Sequence, residues 1–143
     1  MSFEFVQQRR VEFSETDMAG IVHFANFFRW MESAEHAFLR SIGFSVHTAA
    51  AGQATGWPRL KVGCEYQKPL RFEELVDVVL MVREVRNRSV RYGFEFRRAE
   101  SHEVVATGEA VAVHAALDPS VGRLEAAPIP EELRSLLLAR VPA

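Results

Sequence analysis

The strongest constraint on the fold is one long segment with the apolar spacing of an amphipathic helix. Between residues 27 and 42, apolar side chains recur every three or four residues, and mostly charged or small polar residues stand between them: Phe27, Met31, Ala34, Phe38 and Ile42. This spacing predicts one buried stripe along a helix. Gly43 follows at the position where a helix commonly ends in the left-handed conformation. The chain must therefore bury one long helix against its other elements.

The segments around this helix have an apolar period of two. Residues 3–13 place Phe5, Val11 and Phe13 on one face, and apolar residues alternate again at 60–66, 76–82 and 90–96, before a further strand at 104–116. Consecutive strands with short turns favour an antiparallel sheet, and such a sheet covers its apolar face with the helix. The sequence therefore predicts an α+β fold with a five-stranded antiparallel sheet wrapped around one long central helix.

The remaining segments predict connections and a terminal helix. Residues 44–58, rich in small side chains, predict a loop, and 118–122 (DPSVG) predict a turn. Pro130 is expected at the first position of a short C-terminal helix that carries Leu133, Leu136 and Leu137. With 143 residues, 48% of them hydrophobic, and no linker or repeat, residues 1–143 are expected to form a single domain.

Charge and composition disfavour several classes of protein. The 17 Lys and Arg against 19 Asp and Glu give a net charge of −2, so neither a nucleic acid nor an acidic membrane is an expected partner. The N-terminus lacks the apolar core of a signal peptide, and no apolar run reaches the roughly 20 residues of a membrane span. We therefore expect a cytoplasmic protein. The lone Cys64 forms no internal disulfide, and the five histidines lack metal-ligand spacing, so no metal is expected.

One short stretch, residues 15–26 (ETDMAGIVHFAN), carries the candidate chemistry. The GxSxG, P-loop, GxGxxG and HExxH motifs are all absent from the sequence. Asp17 precedes the long helix, whose N-terminal N–H groups can stabilise an oxyanion while a carboxylate attacks a carbonyl or activates water. Gly20 lets a ligand approach the backbone. An Asp ahead of a helix is more often a cap or turn residue than a catalyst, and Asn26 is an alternative N-cap.

Residues 12–43 resemble the signature of hotdog-fold acyl-CoA thioesterases of the 4-hydroxybenzoyl-CoA thioesterase branch: an acid-rich stretch ending in D-x-x-G-[IV]-V, an aromatic or His pair, x-N-[YF] and an amphipathic helix. The resemblance implies a single hotdog domain that hydrolyses an acyl-CoA or acyl-carrier-protein thioester without a cofactor, coenzyme A being part of the substrate. It implies that Asp17 is the nucleophile or general base and that the backbone N–H of Phe24 makes the oxyanion contact. The His23–Phe24 pair reverses the aromatic-then-His order of many bacterial relatives.

The same resemblance suggests binding residues, each with a structural alternative. His23, Glu32 and Trp57 are candidates for the acyl side, with His23 otherwise a partly buried loop histidine and Trp57 a surface-loop aromatic. Arginine forks suit phosphate oxygens, so Arg86, Arg88 and Ser89 are candidates for coenzyme A, or else a solvated strand edge. Trp30, Phe38 and Leu39 are assigned to helix packing.

Two other functions remain open, a hotdog hydratase or dehydratase and a non-catalytic acyl-thioester binding protein. The resemblance further implies a homodimer or homotetramer whose sheets join edge to edge, with each active site drawing on two chains.

Overall fold

The computed structural model describes residues 2–50 and 53–143. Two helices, nine strands and a 3-10 turn at Phe13–Glu15 make up the described chain. In chain order they are β1 (Phe5–Arg10), α1 (Ala25–Ser41), β2 (Thr48–Ala50), β3 (Gln53–Gly56), β4 (Arg59–Tyr66), β5 (Leu75–Val85), β6 (Ser89–Arg98), β7 (Val104–Val113), β8 (Ala115–Asp118), β9 (Arg123–Ala126) and α2 (Glu131–Leu138).

A five-stranded antiparallel sheet in the order β1-β5-β6-β7-β4 wraps around α1, as predicted. The predicted stripe of α1 is buried, with Trp30, Phe38 and Leu39 almost completely enclosed. On the sheet, alternate residues of β5 and β6 complete this core: Val76, Val78, Leu80, Val82, Val90, Tyr92, Phe94 and Phe96. The assignment of Trp30, Phe38 and Leu39 to packing is confirmed.

Helix α1 begins two residues before its first predicted apolar position. Asn26 therefore lies inside the helix rather than capping it, and its Nδ2 donates to the carbonyl of Glu15 at 2.8 Å. At the other end Gly43 has φ +90°, and the Phe44 N–H donates to the Leu39 carbonyl at 2.9 Å. This left-handed residue ends the helix, as the sequence predicted.

A second, four-stranded sheet in the order β2-β3-β8-β9 was not predicted. The prediction of a loop at 44–58 is wrong, because β2 and β3 lie there, although residues 51 and 52 fall outside the described part of the chain. The single strand predicted at 104–116 is instead divided at His114, whose N–H donates to the Arg88 carbonyl at 2.7 Å. β2 and β3 consist mostly of small Ala, Gly and Thr residues, so their sequence shows no alternation of apolar and polar side chains that would predict a strand.

Smaller differences occur at the ends of elements. The first strand ends at Arg10 rather than at residue 13, and Phe13 is 75% exposed in the 3-10 turn. Pro130 precedes α2 as its N-cap, one position earlier than predicted. The predicted turn at 118–122 is confirmed, with Gly122 at φ +70° between β8 and β9.

Strand β4 lies at one edge of the five-stranded sheet, where α1 covers it only in part. Gly108 on the neighbouring strand lets Met31 pack there, since a Cβ at Gly108 would stand 2.9 Å from the Met31 sulfur. Beyond this contact the apolar side chains of β4 remain open, with Leu60 73%, Val62 48% and Tyr66 45% exposed. The edge strand and the helix therefore border an open groove.

Candidate active site

Asp17 lies in a tight turn between the 3-10 segment and α1. Its N–H donates to the Ile21 carbonyl, and its own carbonyl accepts from the Gly20 N–H, each at 2.9 Å. Gly20 has φ +80°, a conformation that residues with a side chain rarely adopt. The nearest heavy atom to a Cβ built at Gly20 is 4.0 Å away. The backbone conformation of this turn, rather than a crowded contact, therefore requires glycine.

The carboxylate of Asp17 does not cap α1, which begins eight residues later at Ala25. Its Oδ1 accepts instead from the Ala19 N–H at 2.9 Å and closes the turn locally. Of the two structural alternatives for Asp17, the helix cap is wrong and the turn is correct. The side chain is exposed and contributes to a cavity, so the turn holds this carboxylate at an open surface.

This cavity, of about 390 Å³, lies at the N-terminus of α1. Apolar side chains form most of its wall, and Tyr66 also lines it. The Tyr66 hydroxyl donates to the Phe24 carbonyl at 2.9 Å, and desolvation raises the pKa of Tyr66 to about 12. From the sequence, Tyr66 was expected only as a strand residue. The residues that line this cavity are Asp17, Ile21, Val22, Phe24, Phe27, Tyr66, Gln67, Lys68, Pro69 and Leu70.

The backbone N–H of Phe24 is available at this cavity. Phe24 is the N-cap residue of α1, and its N–H donates to no acceptor within residues 2–50 and 53–143. The next N–H, that of Ala25, donates to His23 Nδ1 at 3.2 Å, and the His23 ring stacks on Phe24 with centroids 4.5 Å apart. His23 is exposed rather than partly buried, and it satisfies the first helical N–H while the N–H of Phe24 remains open.

Glu15 joins the Asp17 turn to α1. Its carbonyl accepts from the N–H of His23 at 2.9 Å as well as from Asn26, and its Oε2 accepts from Trp30 Nε1 at 2.7 Å. These contacts fix the turn against the first two turns of the helix. No local pattern predicts these contacts, because Trp30 fits the buried stripe and nothing nearby in the chain indicates that its indole N–H has a partner fifteen residues away.

A second cavity of about 270 Å³ lies further along α1, against β4. Glu32 borders this cavity and is 59% exposed, whereas Asp17 borders the first. Eight residues separate Phe24 from Glu32, which is about 12 Å along a helix axis. The residues around the second cavity are Phe28, Arg29, Met31, Glu32, Glu35, Arg59, Val62, Phe94 and Ala110.

Beneath the second cavity, Glu35 and Arg59 form a buried ion pair. Glu35 Oε1 lies 2.6 Å from Arg59 Nη1, and the Glu35 side chain is 2% exposed. Burial raises the pKa of Glu35, and the Arg59 guanidinium opposes this effect only in part. Neither residue was predicted from the sequence, because Glu35 lies beside the apolar stripe and no local pattern indicates its partner Arg59.

The remaining candidates do not lie near Asp17 within one chain. Trp57 is buried, with its ring 5.1 Å from that of His114, so it is not a surface aromatic. It is also not among the residues that line either of the two cavities. Arg86, Arg88 and Ser89 belong to the β5–β6 turn, in which the Arg86 N–H donates to the Ser89 carbonyl at 2.8 Å. This turn occupies the Arg59 end of the sheet, opposite the Tyr66 end.

Two further observations concern ligand classes. Within the described residues, no three His, Cys, Asp or Glu side chains are grouped so that they could hold a metal ion. None of the helices in that part of the chain is long and apolar enough to cross a membrane.

Comparison with known proteins identifies the family. The sequence profile of the Thioesterase-like superfamily matches residues 11–137, which includes both cavities. The chain belongs to this superfamily. The expected hotdog fold and the thioester-hydrolase class are thereby confirmed, whereas the roles of individual residues stay predictions.

Individual relatives agree with this assignment. A protein of Aquifex aeolicus (strain VF5), whose name assigns it only to the esterases, is 36% identical over 110 residues, covering 77% of this chain and 82% of that protein. A 1,4-dihydroxy-2-naphthoyl-CoA hydrolase of Synechococcus elongatus is 24% identical and covers 91% of this chain and 92% of its own. The structure of BH1999 gentisyl-coenzyme A thioesterase superposes with a TM-score of 0.76 at 29% identity, over 90% of this chain and 98% of the other.

The buried Glu35 generates a pH-dependent prediction. In the folded protein the pKa of Glu35 is raised above its ordinary value of 4.5, so the folded state keeps this proton at a pH where the unfolded state has lost it. The free energy of unfolding therefore decreases as pH rises from about 4.5 through the folded-state pKa. Glu35→Gln cannot lose a proton, so its stability relative to the wild type should increase as pH rises above about 4.5. Urea unfolding of both proteins at several pH values measures this difference. A difference that is constant or decreases with pH would contradict it.

Proposed function

We propose that this protein hydrolyses an acyl-CoA thioester to the free acid and the thiol, with Asp17 and the Phe24 N–H as its reacting groups. The observation that supports this most directly is that a turn-held carboxylate and an unoccupied helix N-terminal N–H border the same cavity. An acyl-carrier-protein thioester would present the same reacting group. The superfamily and the names of its relatives support thioesters as the substrate class.

The chemistry follows from the charge that develops on the thioester carbonyl. As the carbonyl carbon becomes tetrahedral, its oxygen gains negative charge, and the Phe24 N–H and the positive end of α1 stabilise that charge. Asp17 either attacks the carbon to form an anhydride, which water then hydrolyses, or takes a proton from the attacking water. In both routes the C–S bond breaks and the thiolate leaves. The reaction proposed here needs no cofactor, and coenzyme A belongs to the substrate.

A homo-oligomer would bring the separated candidates together. β4 is an edge strand with exposed apolar side chains, and such an edge favours pairing with another strand. Two-fold antiparallel pairing of β4 with its copy would set the Tyr66 end of one chain beside the Arg59 end of the other. The basic turn and the Glu32 cavity of one chain would then approach the Asp17 cavity of its partner. We therefore propose a homodimer, or a homotetramer built from it. A cytoplasmic location stays a prediction.

The role of Asp17 is tested by Asp17→Asn. Asn keeps an oxygen for the Ala19 N–H but cannot act as a base or nucleophile, so hydrolysis should fall at least roughly 10²-fold with little loss of stability. Thiol release from a panel of aryl and aliphatic CoA thioesters measures the activity. The matched control is Asp118→Asn, because Asp118 makes the same kind of contact with the Ser120 N–H in the β8–β9 turn.

The outcomes of this test separate the three functions. Equal activity of Asp17→Asn and wild type would remove Asp17 from the reaction and leave it as a turn residue. Binding of thioesters without thiol release by the wild type would indicate the non-catalytic binding protein. Conversion of the acyl group with the thioester intact would indicate the hydratase or dehydratase.

The basic turn is tested by replacing Arg86 and Arg88 together with Ala. If these side chains bind the phosphates of coenzyme A, KM should rise while kcat changes little, because that binding is shared by the ground and transition states. The rise in KM should be smaller for a truncated thioester without the nucleotide. Arg123→Ala, at an exposed position of β9, is the control. An equal loss with both substrates would indicate that the turn supports folding instead.

The proposed interface is tested by Leu60→Lys. Leu60 is 73% exposed, so a charge there should leave the fold intact but disfavour pairing of β4 with its copy. Light scattering at micromolar concentration should then show a dimer or tetramer for the wild type and a smaller species with reduced activity for the variant. Leu138→Lys places the same charge on α2 as a control. A wild type that is monomeric and active at this concentration would overturn the proposed assembly.

A further inference from the structure

The wall of the Asp17 cavity contains one cation. Among the described residues that line this cavity, Lys68 alone has a positively charged side chain, which is 54% exposed. The Lys68 N–H donates to the Val105 carbonyl at 3.0 Å, so the backbone fixes the start of this side chain beside the cavity. The Tyr66 hydroxyl is already committed, since it donates to the Phe24 carbonyl. Neither route of hydrolysis described above gives Lys68 a role.

A network of charged groups holds the Lys68 ammonium in place. Lys68 Nζ donates to Glu103 Oε2, and Glu103 Oε1 accepts from Arg98 Nε at 2.9 Å. Arg98 also bonds to the carboxylate of Glu74, and its Nη2 donates to the Pro69 carbonyl at 2.9 Å. Hydrogen bonds from Lys68 and then from Arg98 lower the pKa of Glu103, so this carboxylate stays charged. The ammonium is therefore anchored at Glu103 while the Lys68 side chain stays partly exposed at the cavity.

The backbone is strained beside both carboxylates of this network. In the part of the chain that the structure describes, only two non-glycine residues have a positive φ, Glu73 at 72° and His102 at 63°. Each directly precedes a carboxylate of the network, Glu74 or Glu103. Residues with a side chain adopt this conformation rarely and at a cost in free energy, and such residues are concentrated at functional sites. The strain therefore favours a role in function for the group that these carboxylates hold.

Breaking the C–S bond of a thioester places negative charge on the sulfur. The electron pair of the bond goes to the sulfur, where Asp17 is itself an anion and the Phe24 N–H serves the carbonyl oxygen. An ordinary thiol has a pKa of about 8.5 and an ordinary lysine a pKa of about 10.4, so a thiolate is the weaker base and an ammonium keeps its proton beside it. An ammonium therefore helps this step as a charged hydrogen-bond donor, and the thiolate takes its proton from solvent after release.

We propose that the Lys68 ammonium is a catalytic group that donates a hydrogen bond to the leaving sulfur and stabilises the thiolate as the C–S bond breaks. This inference rests on the proposed function, because it needs a thioester whose carbonyl lies between Asp17 and the Phe24 N–H. Lys68 contacts the reacting sulfur, whereas Glu103 and Arg98 act through Lys68 and are positioning residues.

The test varies the leaving thiol while the acyl group stays the same. The acyl group is the one that the wild type hydrolyses fastest as its CoA thioester, and it is attached to N-acetylcysteamine, thiophenol or 4-nitrothiophenol, thiols of increasing acidity. Lys68→Met should lower kcat/KM at least about tenfold for the N-acetylcysteamine thioester, the scale of one hydrogen bond to a charged group. The decrease should be no more than about threefold for 4-nitrothiophenol, whose thiolate needs little stabilisation. The slope of log kcat/KM against thiol pKa should therefore be steeper for the variant.

Two controls separate catalysis from folding and from the binding of coenzyme A. Lys61→Met removes the other lysine of the chain, which forms an exposed ion pair with Glu109 at 2.8 Å, and should leave the slope unchanged. Lys68→Arg keeps a cation and should keep the shallow slope of the wild type. The three substrates contain no phosphate. If Lys68 served only to bind the phosphates of coenzyme A, Lys68→Met would leave all three rates unchanged, and the proposal would be overturned.

Variants of Glu103 test the anchor and protect the test against misfolding. Gln has the size of Glu without its charge, so Glu103→Gln should release Lys68 and give a slope between those of the wild type and Lys68→Met. Lys68→Met combined with Glu103→Gln removes both charges of the pair and should reproduce the slope of Lys68→Met.

The wild type separates this inference from the proposed function. Thiol release by the wild type, with the same slope for Lys68→Met and the double variant, would retain the hydrolase and overturn the role of Lys68. A wild type that releases no thiol from any thioester would overturn both.

Discussion

The burial of α1 in the concave face of the sheet is the constraint on which the rest of the structure depends. A single helix supplies the apolar stripe, and β5 and β6 supply the facing side chains. The sheet curves around this helix and leaves the N-terminus of α1 at its edge, next to the segment that connects β1 to α1. A carboxylate placed in that short connection borders the same cavity as Phe24, whose N–H stays open. The same packing that stabilises the domain therefore creates the polar site at its edge.

Small local contacts convert this general arrangement into a defined geometry. Gly20 permits the turn, Asp17 closes it with one oxygen, and the Glu15–Trp30 hydrogen bond ties it to the helix. His23 satisfies one helical N–H, so that the adjacent N–H of Phe24 is the one that stays open. Because each of these contacts involves a different residue, the site is held by several weak constraints rather than by one strong one. Groups fixed in this way need little reorganisation when charge develops on a substrate.

The two ends of the groove between α1 and β4 differ in character. The Tyr66 end has an exposed carboxylate and backbone donors, whereas the Arg59 end has a buried ion pair and apolar walls. A substrate with a reactive centre and a separate recognition group needs both kinds of surface. Within one chain they are about 12 Å apart along the helix, and pairing of edge strands would bring them together across an interface. Assembly and specificity would then depend on the same exposed strand.

The sequence by itself determined the long helix and the five strands of the main sheet, because each has a local signal in its apolar period. It placed Asp17 and Gly20 ahead of the helix but left open whether Asp17 caps the helix or forms a turn. The motif of residues 12–43 also indicated the family. Tertiary structure alone decided that β4 leaves Leu60 exposed, that the last long strand divides at His114, and that Glu35 pairs with Arg59. Periodicity reports which side of an element is apolar, but it does not report what covers that side. Partners distant in sequence meet only when the sheet has curved around the helix.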